Sequence, residues 1–506
     1  MTDNDFEPEI KCKIHLRGEL LIFQVCLCTV VDKLLIIHNS LGLIKYYVEP
    51  LFSMNIVILG AGSIGSYLAT TLSQEEHNVI VIDHNPKALE KLAQNADVAT
   101  RLGSGTDWQL LEDLCELNPH LFIALSSNDE TNLVACSIAK NLGYPKTVAR
   151  IRQSNFLNHS RLDLSRLFFV DHFIGTELIV AQDIFKCLIN PGNTAVENFA
   201  HGAVQMRTVV IPDHFRFTNK KISELDLHQN LLIGLIRRKI SALNTEKEAM
   251  IFPRGNDILL SGDEITLIGE TKVMLQLNAL FGTSQKQIQS VVLAGGSSIA
   301  LHTSKILQEQ GIEVKVIEKD EETCQLMAQQ LPHTTILNQD PTDLNFLISE
   351  KISHADAFVA CTPSNETNIL SAALAKQAGC EEVIALVSDT SYAPLLRRLG
   401  IFYTVSERVS ITNRIHSIVH ADSVLSIASL YENQAKILEI KVSSGSPIVG
   451  IPISDLAAHL PQDFLIALIE NRGRIMIAKG NNILAPGDTV IVICNPKHVQ
   501  ELEKIF

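Results

Sequence analysis

Three glycines at positions 60, 62 and 65 follow the apolar run "MNIVIL" in the pattern G-x-G-x-x-G. Each has a physical use: Gly60 permits a tight turn, Gly62 leaves room for a pyrophosphate to approach the backbone, and Gly65 lets the next helix pack on the strand. Ala61, Ser63 and Ile64 lie between them, at a helix N-terminus whose unpaired N–H groups and dipole favour an anion. Asp83 closes the next apolar run 23 positions after Gly60. There its carboxylate can bond both ribose hydroxyls and repel a 2′-phosphate, which favours NAD(H) over NADP.

Two more groups belong with this set. The segment "SSNDETN" (126–132) follows a strand expected at 121–125, across the switch point from the first strand, so Ser126 and Ser127 face the nucleotide. Ser127 and Glu130 also read as an S-x-x-E capping box. Arg150 ends the following strand, where it pairs either with a phosphate or with a surface acid. His416 and His420 stand four apart on one helix, but no glutamate completes HExxH and no third ligand is evident, so a solvated helix face is expected and no metal site. None of the seven tyrosines begins a Y-x-x-x-K pair, and no catalytic residue is assigned.

The elements that must hold these residues alternate strand and helix. Strands are expected at 55–59, 79–83, 121–125 and 148–151, and helices at 63–74, 86–95 and 129–142, the pattern of a parallel sheet with crossover helices. "AVQMRTVVIP", "LLIGLIRRK" and "GDEITLIGE" then read as strands of a small α+β lobe. "GTELIVAQDIFKCLINPG" (175–192) is a helical linker between the two parts, ending at Pro191-Gly192.

The whole arrangement recurs. "VVLAGGSSIALHTSKILQEQGIEVKVIEKD" answers the first glycine loop, "ACTPSNETNILSAALAKQAG" answers "ALSSNDETNLVACSIAKNLG", and "SERVSITNRIHSIVH" answers the linker. In the second copy the fingerprint is expected to decay to Ala294-Gly295-Gly296-Ser297-Ser298-Ile299, with Gly296 as the middle glycine and Glu318 as the acid. Ala294 would restrict the turn and Ile299 would hold helix and strand apart, so weaker or no dinucleotide binding is expected there. The expected fold is α/β: two tandem Rossmann-like domains at 54–174 and 288–405, each followed by an α+β lobe, at 190–282 and 424–506. Residues 1–53 match nothing in the second copy and are expected to be a poorly ordered or non-native extension.

Composition bounds the function. Hydrophobic residues make up 46% and charged residues 19% of 506, a folded balance. A formal charge of −14 argues against nucleic acid and against docking on anionic lipid by charge alone. The apolar run at 20–37 is broken by Asp32 and Lys33 and is too short to span a bilayer. The ten cysteines contain no C-x-x-C pair, as expected of buried thiols in a reducing cytosol.

"MNIVILGAGSIGSYLATTLSQEEHNVIVID", "SSNDETNLVAC" and "VARIR", together with the duplication, closely resemble the TrkA family, the cytosolic NAD-binding subunits of bacterial Trk potassium uptake systems. The resemblance covers 54–506 and implies paired RCK (KTN) nucleotide domains and RCK C-terminal lobes. It implies a regulatory subunit, not an enzyme, peripheral on the cytosolic face of the inner membrane. Its partner would be a potassium-translocating membrane subunit of the TrkH/TrkG type. It also implies a homodimer or homotetramer regulated by NAD(H), with ATP as a further ligand, and linker helices exchanged between neighbouring domains. By that resemblance the contacts fall on residues 60–64, Asp83, Ser126, Ser127 and Arg150, with a second site at 294–298 and Glu318. An NAD-dependent oxidoreductase is the alternative reading.

Overall fold

The computed structural model describes residues 53–506 except 154–155, 158–161, 191–194, 213–214, 216, 226–230, 243–244, 275–287, 420–423, 432, 459–462 and 472, together with five strands before them. The chain divides into a unit of residues 1–54 and a unit of residues 55–506. In the first, Ile10–Leu16 pairs antiparallel with Glu19–Val25, and Leu27–Val31, Leu34–Asn39 and Gly42–Tyr47 form an antiparallel meander.

The larger unit opens with a six-stranded parallel sheet. Its centre is Asn55–Leu59, flanked on one side by Asn78–Asp83 and Ala99–Leu102 and on the other by Leu121–Ala124, Lys146–Ile151 and His172–Gly175. In chain order this is 3-2-1-4-5-6, so the order reverses between Asn55–Leu59 and Leu121–Ala124. Ile56, Val57 and Ile58 are fully buried, because helices cover both faces. The first helix is Ser63–Gln74. The next, Pro86–Asn95, starts where Asn85 accepts the Lys87 N–H and Pro86 presets the backbone. Four elements of this domain escape the sequence reading: the helices Trp108–Cys115, begun by Asp107, and Leu164–Phe168, and the edge strands His172–Gly175 and Ala99–Leu102, the last an "ATRL" that lacks an apolar run.

Residues 290–405 repeat this sheet, with Ser290–Ala294 at the centre and Glu313–Glu318 and Ala357–Ala360 beside it. Each parallel sheet is followed by a five-stranded antiparallel one. The first runs Ala195–Phe199, Val204–Val210, Glu264–Glu270, Leu231–Ala242, Thr245–Ile251 across the sheet, and the second has the same order.

The halves are interlocked. The linker helix Thr176–Ile189 sends Val180, Ile184 and Leu188 into the core of the second parallel sheet, against Val291, Leu293 and Ala300. Its counterpart Glu407–Val419 packs on the first half: Arg408 lies over the Tyr67 ring at 5.0 Å, and His416 approaches Glu75. His416 is therefore fully buried, which overturns the expected solvated face. His420 lies outside the described residues. The two antiparallel lobes share one core, in which Phe199, Met206 and Leu235 meet Leu430, Ile437 and Ile493. A Cβ on Gly234 would stand 2.2 Å from Ile493 Cδ1. Among the described residues no helix is long and apolar enough to cross a membrane.

Candidate functional site: the two glycine loops

Gly60 has φ +107°, in the region that side chains disfavour, and its N–H donates to Ile82 O at 2.8 Å. A Cβ there would stand 3.1 Å from the Leu125 carbonyl, so the loop after Leu121–Ala124 crosses close above it. Gly65 is more demanding still. A Cβ on it would fall 1.9 Å from Gly60 O. Between them Gly62 caps the helix Ser63–Gln74 with no side-chain hydrogen bond and no acid in the first turn, and a Cβ on it would meet nothing within 4 Å. The helix thus begins without a side-chain partner for its first N–H groups, and the space beside Gly62 is open.

Asp83 is fixed against this loop. Its Oδ2 accepts the Ala61 N–H at 2.6 Å and its Oδ1 accepts the Asn85 N–H at 2.8 Å. Ser126 is tied back to Asn132: its N–H and Oγ reach Asn132 Oδ1 at 3.0 and 2.7 Å. The helix Asp129–Asn141 is capped by Asn128, which accepts the Thr131 N–H, so the expected Ser127–Glu130 capping box is displaced by one residue. Ser127 instead lines a cavity of about 450 Å³ that it shares with Arg152, Glu177, Ser298 and His302. The structure therefore brings one residue of each proposed set, Ser127 and Ser298, to the same cavity.

Arg150 forms an ion pair that is mostly buried rather than on the surface. Its Nη2 donates to Glu407 Oε1 at 3.2 Å, at the start of the exchanged helix Glu407–Val419. Burial lowers the guanidinium's pKa against the pull of Glu407, and burial raises the Glu407 carboxyl against the pull of Arg150. Sequence gave no sign of Glu407, because it lies in the other half.

The second loop corrects its expected register. Gly295, not Ala294, is the counterpart of Gly60: φ is +110° and its N–H donates to Ile317 O at 2.8 Å. Ala294 is the last residue of its strand. Glu318 Oε2 accepts the Gly296 N–H at 2.5 Å, as Asp83 does from Ala61. The three glycine positions are thus held by Gly295, Ser297 and Ala300, and Ile299 is not among them. Two adjacent glycines let the sequence be aligned either way; the turn itself is intact.

What differs is the space over it. Ser297 caps the helix Ser298–Glu309, accepting the Ala300 N–H at 3.2 Å and donating to Cys361 O at 2.7 Å. A Cβ on Gly296 would strike Thr323 Cγ2 at 2.5 Å, so that side chain crowds the loop. The residues of the first loop fit a dinucleotide phosphate, with an uncapped helix end, open space and an acid beside it. Those of the second satisfy their own helix.

A parallel sheet with a glycine turn and a facing acid, repeated and trailed each time by an antiparallel lobe, defines a tandem nucleotide-domain protein. The TrkA-N domain model matches residues 56–166 and 291–407, and the TrkA-C domain model matches 206–282 and 437–506. The Trk system potassium uptake protein TrkA of Haemophilus influenzae is 30% identical over 461 residues, 90% of this chain and 98% of that protein. TrkA homolog 2 of Methanosarcina mazei is 29% identical over 90% of this chain and all of that one. The chain belongs to the TrkA family. The crystal structure of the GsuK RCK domain superposes with a TM-score of 0.55 at 18% identity, covering 90% of this chain and 95% of that one, which shows a shared fold. The GsuK channel bound to NAD superposes equally well, over 79% of its own length.

Proposed function

We propose that this chain is the NAD(H)-binding regulatory subunit that gates a Trk-type potassium uptake system. The observation that carries the reading is the open helix end at Gly62 with Asp83 held opposite, set in a fold whose two halves exchange helices. NAD(H) would lie along residues 60–65 with Asp83 on its ribose and Ser126 beside it; ATP would use the same phosphate cradle. Arg150 supplies the link outward, since any shift of it toward a phosphate loosens its bond to Glu407 and so to the exchanged helix. A ligand drives such a change only through unequal affinity for the two arrangements, typically about 1–3 kcal/mol. Relatives named Trk system potassium uptake proteins support a membrane-embedded potassium-translocating partner of the TrkH/TrkG type. In this reading the protein is peripheral on the cytosolic face and assembles as a homodimer or homotetramer. Its domains divide at 54–174, 190–282, 288–405 and 424–506, with 1–53 as an extension.

Calorimetry with NAD and NADH tests the site. Asp83→Ala should weaken binding about tenfold or more while leaving the unfolding transition in place. Unchanged affinity removes Asp83 from the site. Steady NADH consumption on a small-molecule panel would replace the regulatory reading with an oxidoreductase.

A further inference from the structure

In a chain of net charge −14, one cleft is strongly basic. It encloses about 230 Å³ between the first antiparallel lobe and the second parallel-sheet domain. Arg237 and Lys239 project from the strand Leu231–Ala242, and Arg397 and Arg398 from the last turn of the helix Ala393–Arg398, facing them. Among the described residues Glu264 is the one acid in the lining, with Glu248 opposite Lys239 in the ladder. It is paired with Arg237 and lies 3.3 Å from Arg397 Nη2, so the walls carry four cations against one carboxylate.

Helix-dipole compensation accounts for two arginines at a helix C-terminus. It does not account for Arg237 and Lys239, which come from another domain. The repeat carries only part of this charge: Arg166 stands where Arg397 does, and in sequence Arg472 follows Glu470 by two as Lys239 follows Arg237. In the second lobe Glu470 pairs in register with Thr489, where the first lobe pairs Arg237 with Glu264. By the matching turn bonds from Val170 to Ser165 and from Ile401 to Leu396, Leu167 stands where Arg398 does. Arg237 is also pre-positioned: its guanidinium stacks on the Tyr431 ring at 4.6 Å and is nearly buried. Lys239, opposite Glu248 in the ladder, and Arg398 are both exposed.

We propose that this cleft is a second ligand site, binding a compact phosphate-bearing anion across the junction of the two domains. Planar guanidinium groups suit phosphate oxygens in pairs, and a partly buried pair of walls is screened less than an open surface. A bound anion ties the first lobe to the second nucleotide domain at a place remote from the Gly60 loop. The inference does not rest on NAD binding.

Titration calorimetry on the full chain with inorganic pyrophosphate, and separately with ATP, tests it. The variants are Lys239→Gln/Arg398→Gln, which leaves the Glu264 pairs intact, and Asp83→Ala. Pyrophosphate binding that weakens at least tenfold in the double variant, falls with added salt and is unmoved by Asp83→Ala supports a free-anion ligand. The same pattern with ATP alone supports a nucleotide phosphate as the source. Absence of binding by both probes, or affinities that the double variant leaves unchanged, overturns the proposal. Loss of NAD affinity confined to Asp83→Ala would show that the two sites fail separately.

Discussion

Gly62 and Ser297 occupy one position in the repeat and treat the same helix end oppositely. At Gly62 the end is bare and open. At Ser297 a hydroxyl satisfies it and bonds across to Cys361. The turn geometry survives in both copies, with Gly60 and Gly295 at nearly the same φ and each neighbouring acid on the same backbone N–H. A duplicated fold thus keeps the backbone of a nucleotide site while a single side chain decides whether its donors are spent internally. The junctions between halves differ in the same manner. Glu75, closing the first helix, pairs with Lys436 beside His416, all fully buried. Gln310 closes the second helix, and Gln205 stands where Lys436 does, second in its strand.

The largest effect is expected at the charged junction. Lys436→Met strands the Glu75 carboxylate in the interior and should cost about 3–5 kcal/mol by chemical denaturation, with Glu75→Gln in the same chain recovering most of it. A Lys436→Met loss below about 1 kcal/mol would make the two junctions equivalent. Next comes Gly65→Ala, whose Cβ would overlap Gly60 O; about 2–3 kcal/mol of destabilisation is expected. Ala300→Gly, the reverse change in the other copy, should cost only about 1 kcal/mol through helix propensity. Asp83→Ala against Glu318→Ala sharpens the comparison of the loops. The first should lose about tenfold in NAD affinity, roughly 1.4 kcal/mol, and the second should leave the stronger site untouched in calorimetry.

The smallest effect concerns pH. Burial raises the Glu407 carboxyl above its unfolded value, so folding takes up a proton there. The resulting stabilisation is present below the unfolded pKa and is lost as pH rises through the folded one. Glu407→Gln should flatten that part of the stability profile, and an unchanged profile would place the pH dependence elsewhere.

Much of this fold was legible because its signals are local. Apolar runs, one caps-and-turns vocabulary and the duplication locate the central strands and the helices that follow them to within a residue or two. The edge strand Ala99–Leu102 was not, since an exposed "ATRL" has no apolar period. At the site, the spacing of Gly60, Gly62, Gly65 and Asp83 could be read directly. The register of Gly295 could not, because only a backbone angle tells two adjacent glycines apart. The identity of Arg150's acid partner and the burial of His416 could not be read for a common reason: Glu407 and Glu75 lie hundreds of residues away in the opposite half.

Helix exchange between the halves has a mechanical corollary. Two domains joined by a single tether can swing freely. Here each domain is clasped by an element belonging to its sibling's segment, which favours sliding of packed surfaces over free swinging. Under the proposed function such a pair serves as a latch, with a small molecule at one edge choosing between its settings.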